Sequence, residues 1–134
     1  MLDAGSNSGK LTHMKALVIY PQDASYTVEI HNHLLSVQNK LAYIFENCQN
    51  SISKIPRKKG AVEVLNEKPE ARLRSLSVGD LVFLDGAFYF CDLIGWKGVS
   101  ENQSLLVQRI PIRNRLMGWE WLAEHYPLGE AVSI

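Results

Sequence analysis

No apolar run in this 134-residue chain approaches the roughly 20 residues that a bilayer-spanning helix needs, which argues against a helical membrane protein. Excess charge of one sign is missing too: 14 lysines and arginines face 14 aspartates and glutamates. A chain of zero formal charge projects no global field toward nucleic acid or an anionic membrane. Cysteine is scarce, with only Cys48 and Cys91. Two thiols far apart in sequence do not make a disulfide framework, and both fall at expected core positions, as free thiols of a cytoplasmic protein would. Also missing are an internal repeat, a low-complexity tract and, in the opening residues, the apolar segment of a secretory signal.

What is present begins with a separable start. The first thirteen residues, MLDAGSNSGKLTH, are small, polar and non-periodic. They read as a flexible leader, an added segment or an upstream start, ahead of a single α+β domain over 14–134. GSNSGK within the leader is reminiscent of a phosphate-binding loop but lacks its parts. Three residues rather than four separate Gly5 from Gly9, Leu11 stands where a hydroxyl must hold magnesium, and no strand precedes it.

From Met14 the pattern becomes regular. KALVIY (Lys15–Tyr20) is an apolar, β-branched run stopped by Pro21, which suits a buried strand. TVEIHN (Thr27–Asn32) alternates, with Val28 and Ile30 on one face, and pairs naturally with the first strand across the PQDAS turn. Asn32 is placed to cap a helix over about His33 to Asn47, whose stripe is Leu34, Val37, Leu41, Ile44, Phe45 and Cys48. CQNSISKIPRKKG reads as a polar, basic loop, and AVEVLNE (Ala61–Glu67) as a third strand.

The strongest local signal is RSLSVGDLVFLDGAFYFCDLIGW, from Arg74 to Trp96. Leu81–Leu84 and Ala87–Cys91 flank Asp85-Gly86, which favours a two-residue type I′ turn because both central residues need positive φ. Such a loop fixes the register: Leu84 opposite Ala87, Phe83 opposite Phe88, Val82 opposite Tyr89, Leu81 opposite Phe90. Both faces of the hairpin are apolar, so it belongs in the core rather than on a base-stacking surface. Further on, LLVQRIPI (Leu105–Ile112) reads as a last strand. Asn114 then caps a final helix with the stripe Leu116, Trp119, Leu122, Ala123 and Tyr126, stopped by Pro127. Trp121 and Met117 point away from that stripe. Either the tail LGEAVSI folds back over them, or they form a partner or self-association surface, since tryptophan is enriched among interface hot spots.

The stretch from Arg74 to Val99 resembles the signature of YodL-like small proteins of phages, plasmids and other mobile elements. Ser75, Ser77, Val78, Gly79, Asp80, Tyr89, Gly95 and Trp96 carry the likeness, over about a fifth of the chain. The opening MKALVIYP and the segment VEIHNHLLSVQNKL are similar to the start of short phage and plasmid proteins. The resemblance implies a cytoplasmic protein encoded by a mobile element. It implies no particular reaction, although antirestriction or defence roles accompany such proteins.

Candidate chemistry is sparse. His31-Asn32-His33 spells three letters of a nuclease motif, but those letters belong spread across a metal fold, and no Cys or carboxylate partner stands at ligand spacing. Asp85 is required by its turn and Asp80 suits a cap on the Val78-Gly79 turn. In the hairpin register Asp80 and Asp92 point to opposite faces, which argues against an acid/base pair. Cys91 sits among apolar neighbours, the wrong setting for a nucleophile. His125, late in the last helix, suits its negative dipole end. Positive charge clusters at Lys54, Arg57, Lys58 and Lys59, with Arg72 and Arg74 ahead of the hairpin and Arg109, Arg113 and Arg115 near the last strand.

The expectation is an α+β fold: a mixed or mainly antiparallel sheet of five to six strands, one helix packed on it and a C-terminal helix. The function expected is that of a non-catalytic binding or accessory protein of a bacterial mobile element, with no catalytic, metal or cofactor site. It acts through a protein partner or self-association, with Met117 and Trp121 as interface residues. The alternative is nucleic-acid binding by the basic loop 54–59 together with Arg72 and Arg74. A metal-dependent hydrolase or nuclease ranks third.

Overall fold

The computed structural model describes residues 14–30, 36–49, 57–59, 62–65 and 74–134. Eight strands and four helices occur among them, an α+β fold. The strands are β1 (Met14–Tyr20), β2 (Ala24–Ile30), β3 (Arg57–Lys59), β4 (Val62–Leu65), β5 (Leu81–Leu84), β6 (Ala87–Cys91), β7 (Trp96–Val99) and β8 (Val132–Ser133). The helices are α1 (Val37–Asn47), α2 (Glu101–Val107), α3 (Ile112–Arg115) and α4 (Trp119–His125). They group into two compact units, one from residues of 1–16 and 26–75, the other from 17–25 and 76–134.

In the first unit β4 pairs antiparallel with β2 on one side, Val28 opposite Val64, and with β3 on the other, Lys58 opposite Glu63. The basic run Arg57–Lys59, expected in a loop, is therefore a short strand. Tyr26, Val28 and Ile30 are buried on alternate positions of β2, as the period of two requires. The expected cap Asn32 lies outside the described residues. The described helix α1 starts behind Ser36, whose Oγ accepts from the Asn39 N–H at 3.1 Å. Leu41, Ile44 and Cys48 are buried as expected. Phe45 is not: it is exposed, and the buried face takes Lys40 and Asn47 instead.

The second unit begins at the tip of the β1–β2 hairpin. There Gln22 takes φ 66° after Pro21, and the Asp23 N–H donates to the Tyr20 carbonyl at 2.9 Å, the pattern of a type II turn. Strands β5, β6, β7 and β8 form an antiparallel meander. The β5–β6 register is the one the Asp-Gly turn dictates at all four pairs, and Asp85 and Gly86 take φ 57° and 80°. Leu81, Val82, Leu84, Phe90 and Cys91 are buried, while Phe83 and Phe88 pack their rings 4.7 Å apart at half-buried positions.

Beyond β6 the chain departs from expectation in several places, beginning with β7, a strand the sequence did not suggest. Leu105–Ile112 is not a strand. Ser100 and Gln103 form a reciprocal capping box, Ser100 Oγ accepting from the Gln103 N–H and Gln103 Oε1 from the Ser100 N–H, so the chain turns helical at Glu101. The final helix is not continuous either. Gly118 at φ 91° separates α3 from α4. Leu81, Phe90, Val107, Ile110, Trp119, Leu122 and Leu128 close one core, with the Phe90 and Trp119 rings edge to face at 5.1 Å. The tail folds back, though without covering Met117: Leu128 is buried, the Gly129 carbonyl accepts from Trp119 Nε1 at 3.1 Å, and β8 adds to β7.

The side chain that organises this unit is Arg115, 1% exposed. Its Nε donates to the Gly79 carbonyl at 3.1 Å and its Nη1 to the Ile110 carbonyl at 2.6 Å. Nη2 lies 4.0 Å from Oδ1 of Asp80, which is equally buried. The other Asp80 oxygen accepts from the Ser77 N–H at 2.9 Å and closes the turn entering β5. Gly79, at φ 95°, lies against Arg115 so closely that a methyl group there would overlap the arginine's Cβ. Gly86, at φ 80°, has open space around it.

The two glycines separate strain from crowding. Gly86→Ala costs about 1 kcal/mol through its φ alone. Gly79→Ala costs at least about 3 kcal/mol, because the same strain adds to displaced backbone at Arg115. Arg115→Met also costs about 3 to 5 kcal/mol, leaving the Asp80 carboxylate buried without its counter-charge. Urea titrations of the three variants check the order; equal losses for the two glycine variants contradict it.

Candidate functional site

The residues that invite a chemical reading are tied up in the fold. Asp80 is engaged with Arg115 and Ser77, as above. Asp92 is engaged elsewhere. Its Oδ1 accepts from the Leu93 N–H at 2.8 Å and from the Trp119 N–H at 3.0 Å, so it serves as the side-chain cap that α4, preceded by glycine, cannot supply for itself. Its Oδ2 lies 4.0 Å from Lys97 Nζ. Cys91 is buried between these two carboxylates. Burial pushes its thiol up to about 12, and the neighbouring Asp80 and Asp92 add to that shift. A thiol held protonated at neutral pH is not a nucleophile. His125 ends α4, exposed, with Nδ1 2.8 Å from the Trp121 carbonyl, where a cation-capable ring meets the negative end of the helix.

The sequence-derived interface and nucleic-acid residues fare differently. Lys54 and Arg72 lie outside the described residues, as do His31 and His33. Arg57, Lys58 and Lys59 form β3. Arg74 is half-buried and its Nη1 donates to the Ser75 carbonyl at 3.1 Å. Arg115 is not available to a ligand, being enclosed by Gly79, Asp80 and Ile110. Trp121 is half-buried against the second unit's core, its ring stacked on His125 with centroids 3.8 Å apart. Met117 is 47% exposed.

Met117 is one of a group. Between β6 and β7 the chain turns within four residues, Asp92-Leu93-Ile94-Gly95, and the Asp92 N–H donates to the Gly95 carbonyl at 3.0 Å. The apex of that turn is aliphatic: Leu93 is 65% exposed and Ile94 92%. Leu93 lies directly on Gly118, where an added methyl would come within 2.8 Å of its Cδ1. That contact joins the turn to the end of α3, next to Met117. Ile112, at the start of α3, and Leu116, its C-cap, are 44% and 45% exposed. Leu116, expected in the core stripe, is outside because the helix breaks at Gly118. Leu93, Ile94, Ile112, Leu116 and Met117 are thus all exposed on two elements that adjoin where Leu93 meets Gly118.

Sequence reasoning identified Met117 and missed the other four. One signal was present: an aliphatic pair in a tight Asp-x-x-Gly turn must meet solvent. Among the described residues no group of three or more His, Cys, Asp or Glu side chains is arranged to hold a metal, and no helix is long and apolar enough to cross a membrane. No protein-family model, curated protein or solved structure matches the chain.

The Cys91 environment has a pH consequence. The folded state keeps a proton that the unfolded thiol releases near roughly pH 8.5. Stability from this source is intact below that pH and declines as pH rises toward about 12. Denaturant titrations at rising pH should show the native chain losing stability faster than Cys91→Ala between about pH 9 and 11. The difference should be no more than about 1.4 kcal/mol per pH unit. Parallel curves contradict the assignment.

Proposed function

We propose that the chain is a non-catalytic binding protein that docks a protein partner on the surface formed by Leu93, Ile94, Ile112, Leu116 and Met117. The observation that carries this reading is the exposure of five large apolar side chains on adjoining, well-anchored elements. Single exposed aliphatics need no explanation, whereas several on adjoining elements of a folded unit support an interaction site. The surface is also held in shape before any partner arrives. Asp92 fixes one side by capping α4, and Arg115 fixes the other by anchoring α3, so little ordering cost opposes binding. The sequestered thiol and the engaged carboxylates support a binding role over catalysis. Trp121 is not among the side chains on which this reading rests.

The resemblance of Arg74–Val99 to YodL-like proteins supports an accessory role, cytoplasmic and tied to a mobile element, within a defence or antirestriction setting. In the chain itself that stretch supplies the meander and the turn that presents Leu93 and Ile94.

A photo-crosslinking residue at Ile94 or Met117 should yield a discrete adduct in a host cell, and one at the exposed hairpin tip, Asp85, should not. The adduct protein, purified, should bind the isolated chain. Leu93→Ser combined with Met117→Ser should weaken that binding at least about tenfold, or 1.4 kcal/mol, while leaving the melting temperature nearly unchanged. Crosslinks equally strong at Asp85, or binding unaffected by the double variant, sink the reading.

A further inference from the structure

We infer that the segment docking on this surface belongs to a different protein and is acidic as well as apolar: an amphipathic stretch with aspartates or glutamates beside its apolar anchors. The inference rests on the docking reading above and adds the chemistry of the partner. Its basis is the charge around the apolar residues. Arg113, next to Ile112 on α3, is exposed and lies about 160° round the helix from buried Arg115. Arg109 is exposed in the turn that leads to α3 through Pro111. Neither arginine makes an ion pair among the described residues. The other charges nearby offset them only in part. Lys97 and Asp92 face each other at 4.0 Å, and Glu120 is the one exposed acidic side chain at the start of α4. With Glu120 counted against Arg109 and Arg113, the surface presents a net charge of about one positive unit beside its apolar residues, and both arginines are exposed.

This pattern selects among occupants. A second copy of the chain meeting the first through this face would bring the Arg109 and Arg113 of both copies into one interface, and like charges gathered at an interface are repulsive. A nucleic acid would use the arginines but leave five exposed aliphatic side chains without apolar partners, and base stacking needs rings rather than branched chains. A peptide with apolar residues at helical spacing and carboxylates between them satisfies both components, and the planar guanidinium fork is suited to carboxylates.

The test uses the whole chain and designed probes. One is a helical peptide of roughly 16 residues with leucines at i, i+3/i+4 and i+7 and glutamates elsewhere. The second has lysines for the glutamates, and the third is a single-stranded oligonucleotide. Binding is followed by fluorescence anisotropy at low and high salt and located by NMR shift changes. The acidic peptide should bind at least tenfold more tightly than the basic one and weaken with salt. Its shifts should map to Leu93, Ile94, Ile112, Leu116 and Met117. Arg109→Glu with Arg113→Glu should reverse the preference with the melting temperature unchanged, since both side chains are exposed. Equal binding of the two peptides at this surface overturns the acidic assignment and leaves the docking surface standing. No peptide binding, or shifts confined elsewhere, overturns this inference; the crosslinking experiment judges the surface independently. Oligonucleotide binding that the double glutamate variant abolishes transfers the arginines to a nucleic-acid site and overturns it too. A concentration-dependent dimer that Ile94→Ser dissolves does so in favour of self-association.

Discussion

Arg115 carries a full charge into a site with almost no access to water, and the second unit is built around making that tolerable. A buried guanidinium is costly unless its donors are met by acceptors of good geometry. Here Nε and Nη1 reach the carbonyls of Gly79 and Ile110, and Nη2 faces the Asp80 carboxylate. Those acceptors sit on two segments: the adjacent Gly79 and Asp80 in the turn into β5, and Ile110 in the turn after α2. One side chain from α3 therefore pins both at once. The requirement reaches further, because the arginine must come so close to Gly79 that no residue with a Cβ fits there. The Ser-Val-Gly-Asp turn and the last helices are in this sense one structural device.

That device has a consequence for the surface. A single-turn helix that aims one arginine inward must aim its opposite side outward. Arg113, about 160° round the helix from Arg115, is exposed for that reason, and Ile112 and Leu116 are exposed to the side of it. The break at Gly118 then prevents the helix from carrying Leu116 into the core with Trp119 and Leu122. Asp92 compensates for the break by capping α4, and in doing so holds the turn whose apex is Leu93 and Ile94. The apolar surface is thus placed by two polar contacts rather than by any preference of its own.

The same physics explains what could be read from the sequence. Asp85-Gly86 specifies its turn by backbone sterics alone, and the register of four pairs follows without tertiary information. The alternation of β2, with Val28 and Ile30 buried, is likewise local, whereas β1, expected to be buried throughout, buries only alternate residues. Leu105–Ile112 was legible only in part. A short apolar run does not distinguish strand from helix by periodicity, and the deciding feature was the capping pair Ser100 and Gln103 ahead of it. Strand β7 was obscured by its composition, Trp-Lys-Gly-Val, which has little alternation to recognise. Arg115 read as one more basic residue near a strand, since nothing local distinguishes an arginine that will meet a distant turn at Gly79 and Asp80 from one that will meet water. The exposed group was hidden for a related reason: Leu93 and Met117 are 24 positions apart, and only the Gly118 contact unites them.

An exposed aliphatic group carries a hazard as well as a use, since copies of the chain can meet through it. Arg109 and Arg113 bear on both. Placed beside the apolar residues, they make a face-to-face encounter between two copies electrostatically unfavourable and an encounter with an acidic segment favourable. Exposed arginines in water contribute little to folding, so their position carries small energetic weight within the chain itself. Their effect lies in discrimination: the apolar side chains supply contact area to any hydrophobic partner, and the charges determine which approach is resisted.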